Sequence, residues 1–145
     1  MRIAVGTDER TDVSDAVEAH LRAGGHELVE VLHDEVWPDV GRRVGEAVAA
    51  GRADVGVVMC WTGTGVAMAA NKVSGVRAAL CTDAATAEGA RRWNDANVLA
   101  LGLRLTTAAT AAEMLDAFVA TSVDDGEQDT ISRLEEVANR SRRGR

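Results

Sequence analysis

At 145 residues with a net charge of −7, the chain is long enough for one domain with a real core, expected to span 1–145. The acidic balance argues against a general nucleic-acid binder. With no tyrosine and one phenylalanine, the core has to be built from Ala, Val and Leu, which suits helices packed on strands.

In chain order, "RIAVG" (2–6) reads as a buried strand and "DVSDAVEAHLRAGG" (12–25) as a helix stopped by a glycine pair. "HELVEVL" (26–32) is a second strand. "PDVGRRVGEAVAAG" (38–51) is a helix with Val40, Val44, Ala47 and Val48 on one face, Pro38 at its start and Gly51 at its end. "DVGVVMC" (54–60) is a third strand, apolar on both faces. "GVAMAANK" (65–72) is a helix, "VRAALC" (76–81) a strand, "DAATAEGARRWN" (83–94) a helix and "ANVLALG" (96–102) a fifth strand. "TTAATAAEMLDAFVAT" (106–121) is a helix, and "EQDTISRLEEVANR" (127–140) a last, more polar one. The stretch 122–145 is thus a C-terminal helix with a basic tail. Its final 13 residues hold five Arg against two Glu, a pattern suited to a solvated terminus.

Alternating strands and helices, with strands that are continuous apolar runs, predict a five-stranded parallel sheet covered by helices on both faces. In such sheets ligands sit beyond the carboxyl ends of the strands, where strand order reverses. For the common order 2-1-3-4-5 that point lies between strands one and three. The loops there are "TDER" (7–10) and "CWTGTG" (60–65), which puts Asp8 and Cys60 on one crevice. The loop after strand two, with His33, Asp34 and Trp37, opens on the same side.

Glycines before a helix let backbone N–H groups approach an anion, so Gly63 and Gly65 make either a nest for substrate oxygens or simply a tight turn. The loop is neither a P-loop nor a GxGxxG fingerprint. Cys60 is either a base or nucleophile beside a helix N-terminus or a small buried hydrophobe. Asp8 either bonds a substrate hydroxyl or caps the helix that starts near Asp12. His20 and His26 read as structural, His33 as a minor acid–base candidate, and Cys81 as structural. Asn94, Asp95 and Asn97 either fix a turn or, for Asn94, reach a crevice in a neighbouring subunit. The two cysteines form neither a disulfide framework nor a metal-ligand pattern. With no apolar h-region or membrane-length run, the expected setting is cytoplasmic and reducing.

"CWTGTGVAMAANKVSGVRAALC" followed by "WNDANVLALGLR" resembles the type B ribose-5-phosphate and galactose-6-phosphate isomerases, and the likeness runs from "RIAVGTDE" to about residue 120. The resemblance implies a Rossmann-like α/β/α sandwich and a homodimer with shared active sites. It implies aldose–ketose isomerisation of a sugar phosphate or sugar derivative through an enediolate, with no metal or cofactor. Position by position, it makes Cys60 the base, with Thr62 beside it. Gly63 and Gly65 would supply amides to the enediolate oxygens. Asp8 would contact substrate hydroxyls, Asn94 would come from the interface, and Arg104 would hold phosphate.

The departures have a direction. Glu9 stands where the family usually has His, Trp61 where it has Gly, and Trp93 where it has the histidine associated with ring opening. Trp37-Pro38 replaces a Tyr-Pro pair, and "DGEQDTI" replaces a stretch whose arginines grip phosphate. Glu9, Trp61 and Trp93 are therefore expected on the substrate, and three tryptophans on one rim suggest a reshaped pocket. The alternative expectation is a non-catalytic relative that binds ligand without turnover. A thiol enzyme of another class is a third.

Overall fold

The computed structural model describes residues 1–144; Arg145, the last residue of the basic tail, lies outside the described residues. The chain alternates β1 (Arg2–Thr7), α1 (Asp12–Ala23), β2 (Glu27–Leu32), α2 (Trp37–Ala49), β3 (Val55–Cys60) and α3 (Thr64–Asn71). It continues through β4 (Ala78–Leu80), α4 (Ala84–Asn94), β5 (Val98–Gly102), α5 (Ala108–Ala120), a short 3₁₀ turn (Asp125–Glu127) and α6 (Gln128–Arg143). The result is a Rossmann-like α/β/α sandwich with a C-terminal helix. Among the described residues no helix is long and apolar enough to cross a membrane.

All strand pairings are parallel, but the order is β2-β1-β3-β5-β4, not 2-1-3-4-5. The reason lies in the strands themselves. β5 is five residues long and buried throughout, so it needs cover on both edges and both faces. β4 is only three residues long and partly exposed, as suits an edge. The reversal between β1 and β3 is unaffected.

Because side chains alternate along a strand, the sheet splits the core in two. Val55, Val57, Met59, Leu99 and Leu101 face the layer of α1, α4 and α5, where Met114, Leu115 and Phe118 are almost wholly buried. Val58, Cys60, Val98 and Ala100 face the layer of α2 and α3, where the residues are smaller. The smaller residues let backbones come close. A methyl group at Gly41 of α2 would lie 2.7 Å from the Val66 carbonyl oxygen and 2.8 Å from the Ala70 nitrogen of α3.

Helix starts follow local chemistry. Thr11 caps α1 in a capping box with Ser14, and Asp83 and Thr107 cap α4 and α5 by accepting from backbone N–H groups. Trp37 and Pro38 open α2. α6 begins one residue later and ends three residues further on than the pattern suggested, and it has no buried residue.

Gly41→Ala should cost about 1–3 kcal/mol, because the methyl meets backbone that cannot yield without parting α2 from α3. Urea denaturation of the variant and the parent checks this; an unchanged midpoint would mean the two helices give way freely.

Candidate active site

The loop after β3 is clamped to the loop after β5. The Leu103 N–H donates to the Cys60 carbonyl and the Arg104 N–H to the Trp61 carbonyl, each at 2.9 Å. Gly63 has φ +76°, and a methyl there would lie 2.8 Å from the Leu101 carbonyl carbon and 2.9 Å from the Gly102 nitrogen. On the other side, a methyl at Gly102 would lie 2.8 Å from the Thr62 carbonyl oxygen. Glycine is required on both sides of this contact. Gly102 was not singled out from the sequence, although it closes β5 opposite Cys60.

Gly63 is also the N-cap of α3 and offers no side-chain acceptor. The first bond of the helix runs from the Ala67 N–H to the Gly63 carbonyl. The N–H groups of Thr64, Gly65 and Val66 therefore have no helical partner and no cap, unlike those capped in α1, α4 and α5. Thr62 and Thr64 share a hydroxyl–hydroxyl bond of 2.8 Å above them. The Trp37 ring covers Gly65 closely enough that a methyl there would lie 3.0 Å from the indole.

Cys60 ends β3, 5% exposed and facing the α2–α3 layer. Asp8 lies beside it: the Asp8 N–H donates to the Met59 carbonyl at 3.2 Å. Thr11, not Asp8, caps α1, so the capping alternative for Asp8 is corrected. Its Oδ1 is buried with no hydrogen-bond partner. Burial, and then the charge of Glu9, raises its carboxyl above the ordinary aspartate range. Glu9 itself is exposed, and its backbone carbonyl accepts from the Thr7 hydroxyl at 2.6 Å.

The structure separates other expected partners. α4 runs back along the sheet, so Trp93 and Asn94 lie just before the amino end of β5, where Val98 pairs with Gly56. Cys60 is at the far end of β3, about four residues or 13 Å along the strand. In one chain, therefore, Trp93 and Asn94 do not share the Cys60 crevice, and the three tryptophans do not lie on one rim. The Trp93 ring folds back over Gly89, and Asn94 lines a cavity of about 750 Å³ beside α6. His33 follows β2, and its ring is paired with Glu18 of α1. His20 bonds Asp116 and His26 the N-terminus. Asn97 and Asp95 do fix a turn: the Asn97 Oδ1 accepts from the Arg77 N–H at 2.8 Å, and Asp95 accepts from the Arg77 and Arg91 side chains. Cys81 is buried, which pushes its thiol up to about 11.

Arg104 lies at the carboxyl end of the sheet next to Trp61, exposed. Among the described residues no three of His, Cys, Asp and Glu are grouped so as to hold a metal ion.

The chain that carries this arrangement has relatives. The family model described as "Ribose/Galactose Isomerase" matches residues 3–137. The chain belongs to the ribose/galactose isomerase family. It is 37% identical to the galactose-6-phosphate isomerase subunit LacB of Clostridium acetobutylicum, over 82% of this chain and 72% of that one. It is 33% identical to ribose-5-phosphate isomerase B of Escherichia coli, over 95% and 99%. The solved ribose-5-phosphate isomerase B of Clostridium thermocellum superposes with a TM-score of 0.89 at 32% identity, covering 97% of this chain and 99% of that one.

The raised carboxyl of Asp8 has a consequence for stability. The native state holds this proton more tightly than the unfolded chain, so above the ordinary aspartate pKa of about 3.9 its ionisation disfavours folding. Asp8→Asn should therefore raise the melting temperature at pH 7, and the gain should vanish as pH falls through about 4. Melting curves across that range check it; a gain that grew at low pH would contradict the cause given.

Proposed function

We propose that the protein interconverts an aldose phosphate and its ketose, with Cys60 as the base that moves a proton between C1 and C2. The observation that carries this reading is the convergence at the β1–β3 switch point. A strand-end thiol, an unpartnered carboxylate oxygen of Asp8 and the uncapped amides of α3 meet there.

Starting from the aldose, the Cys60 thiolate takes the proton from C2, and the C–H electron pair becomes the C1–C2 double bond of an enediolate. The charge that develops on the sugar oxygens is met by N–H groups of the Gly63–Gly65 turn, which are already oriented. Asp8 accepts from a substrate hydroxyl and so satisfies its orphan oxygen. Thr62 holds the loop through Thr64 and lies close enough in sequence to assist at the reacting oxygens. The thiol then returns the proton to C1, the oxygen proton passes from O2 to O1, and the ketose is formed. No atom is lost and no electron is passed to a cofactor.

Arg104 is a cation on this side of the sheet suited to the phosphate; Glu127 and Asp129 follow α5 beyond Asp124, which bonds Arg92 at the opposite end, so in their own chain they do not face it. Glu9 lies on the rim beside Asp8, in reach of the hydroxyls, and Trp61 flanks the turn. Trp93 and Asn94 contribute from a second copy, because in their own chain they stand at the opposite end of the sheet. We therefore infer a homodimer with shared active sites, in a cytoplasmic setting where both free cysteines stay reduced.

Two measurements test this. Cys60→Ala should slow exchange of the substrate C2 proton with solvent by about 10²–10⁴-fold; unchanged exchange removes Cys60 from the mechanism. If sites are shared, mixing inactive Cys60→Ala with inactive Asn94→Ala should restore about a quarter of native activity, since half the dimers carry one intact site. No recovery after subunit exchange would place Asn94 outside the site.

A further inference from the structure

Three of the chain's exposed large apolar side chains converge on one small cavity. Trp61, Leu80 and Leu105 are 55%, 39% and 78% exposed, and all three line a space of about 190 Å³ at the carboxyl ends of β3, β4 and β5. Scattered apolar side chains on a surface need no explanation, but a cluster around a cavity does. Cys81 forms part of the wall, and its buried thiol stays protonated at neutral pH, which makes it an apolar surface. Thr82 and Thr106 add hydroxyls to the same cavity.

The cavity also has a charge. Arg104 lines it, is exposed and forms no ion pair among the described residues. Its backbone N–H is bonded to the Trp61 carbonyl at 2.9 Å, and both residues line the cavity. Thr62 and Gly102 also line it, and Gly102 pairs with Cys60 in the sheet. The cavity thus lies on the β5–β4 side of the Cys60 strand end, away from Asp8.

An apolar wall beside one free cation selects for a particular shape of anion. A hydroxyl placed against Trp61, Leu80 and Leu105 loses water without gaining a partner, whereas a methylene there loses nothing. We propose that this cavity receives the non-reacting end of the substrate, and that it takes an organic phosphate with a hydroxyl-free carbon next to the phosphate-bearing end, as in a deoxysugar phosphate. The proposal rests on reading the loop as a sugar-phosphate isomerase site, and it assigns Trp61 as the residue that sets specificity there.

The test is a series of three probes, inorganic phosphate, glycerol 3-phosphate and n-propyl phosphate, titrated calorimetrically into the full chain. n-Propyl phosphate should bind about 10–100-fold tighter than glycerol 3-phosphate. Trp61→Gly should erase that difference, and Arg104→Gln should weaken all three probes. In a Trp37→Phe/Trp93→Phe background, n-propyl phosphate should also quench or shift the fluorescence of the remaining indole, Trp61. Equal or tighter binding of glycerol 3-phosphate would mean that Thr82 and Thr106 govern the cavity, and would overturn the proposal. So would a preference that survives Trp61→Gly, or a failure of all three probes to bind. Because binding is read without turnover, the two readings fail separately. Discrimination at Trp61 with no Cys60-dependent exchange on any sugar phosphate would sink the isomerase reading alone.

Discussion

The contact between the Thr62–Gly63 peptide and Gly102 is the constraint on which the site depends. Neither side tolerates a methyl group, so the chain leaving β3 lies directly against the end of β5. That contact fixes three things together. It presents the Cys60 carbonyl to the Leu103 N–H, which keeps the end of β3 straight. It forces Gly63 to a positive φ, which turns the chain into α3 with its first amides uncapped. It also bonds the Trp61 carbonyl to the Arg104 N–H, and both residues line the cavity at this end of the sheet. A side chain at either glycine would disturb all three.

The polar groups around this contact are left incomplete in a consistent way. Elsewhere many charged side chains are paired. Arg77 bonds Asp95 and Glu135, Arg43 reaches Glu30 and Glu35, and each histidine has a partner. At the switch point Asp8 keeps a buried oxygen without a donor, and the α3 amides lack an acceptor. Buried polar groups without partners disfavour the folded state. Their concentration at one end of the sheet, opposite in sign and close together, suits a ligand that carries both hydroxyls and oxyanions. Most of the exposed ion pairs elsewhere contribute little to stability.

The sheet and its helices were legible because β1, β3 and β5 are largely continuous apolar runs and most helices have a recognisable start or stop residue. The strand order was not legible, since nothing in the local pattern of "VRAALC" says which neighbour it pairs with. Its shortness and partial exposure, which make it an edge, appear only once β5 has taken the central place. Asp8 and Cys60 were placed correctly by the topology rule alone. Asp8 as a cap was a fair alternative until Thr11 proved to hold that role. Trp93 does not share a rim with Trp37 and Trp61 in its own chain, for a geometric reason. Its place before "NDAN" ties it to the amino end of β5, and sequence adjacency to the resembling motif says nothing about which end of the sheet it occupies. Gly102 was invisible because its constraint is made by a loop 40 residues earlier.

α6 carries the remaining physical tension. It is 16 residues long, has no buried residue, and leaves Leu134 and Val137 more than half exposed. An isolated helix of that length is marginal in water, and most helical stability comes from packing of an apolar face. Among the described residues its side-chain hydrogen bond to the body is the pair between Arg77 and Glu135, above the cavity that also holds Asn94 and Asn71. The elements stranded by the single-chain geometry, Asn94 and the apolar side of α6, are thus gathered at one place, away from Cys60. A two-fold arrangement that brought this place against the switch point of a second copy would cover the helix and complete both sites in the same contact. In that arrangement the incomplete polar groups at one end of the sheet and the uncovered apolar helix beside the other would be the two halves of one surface.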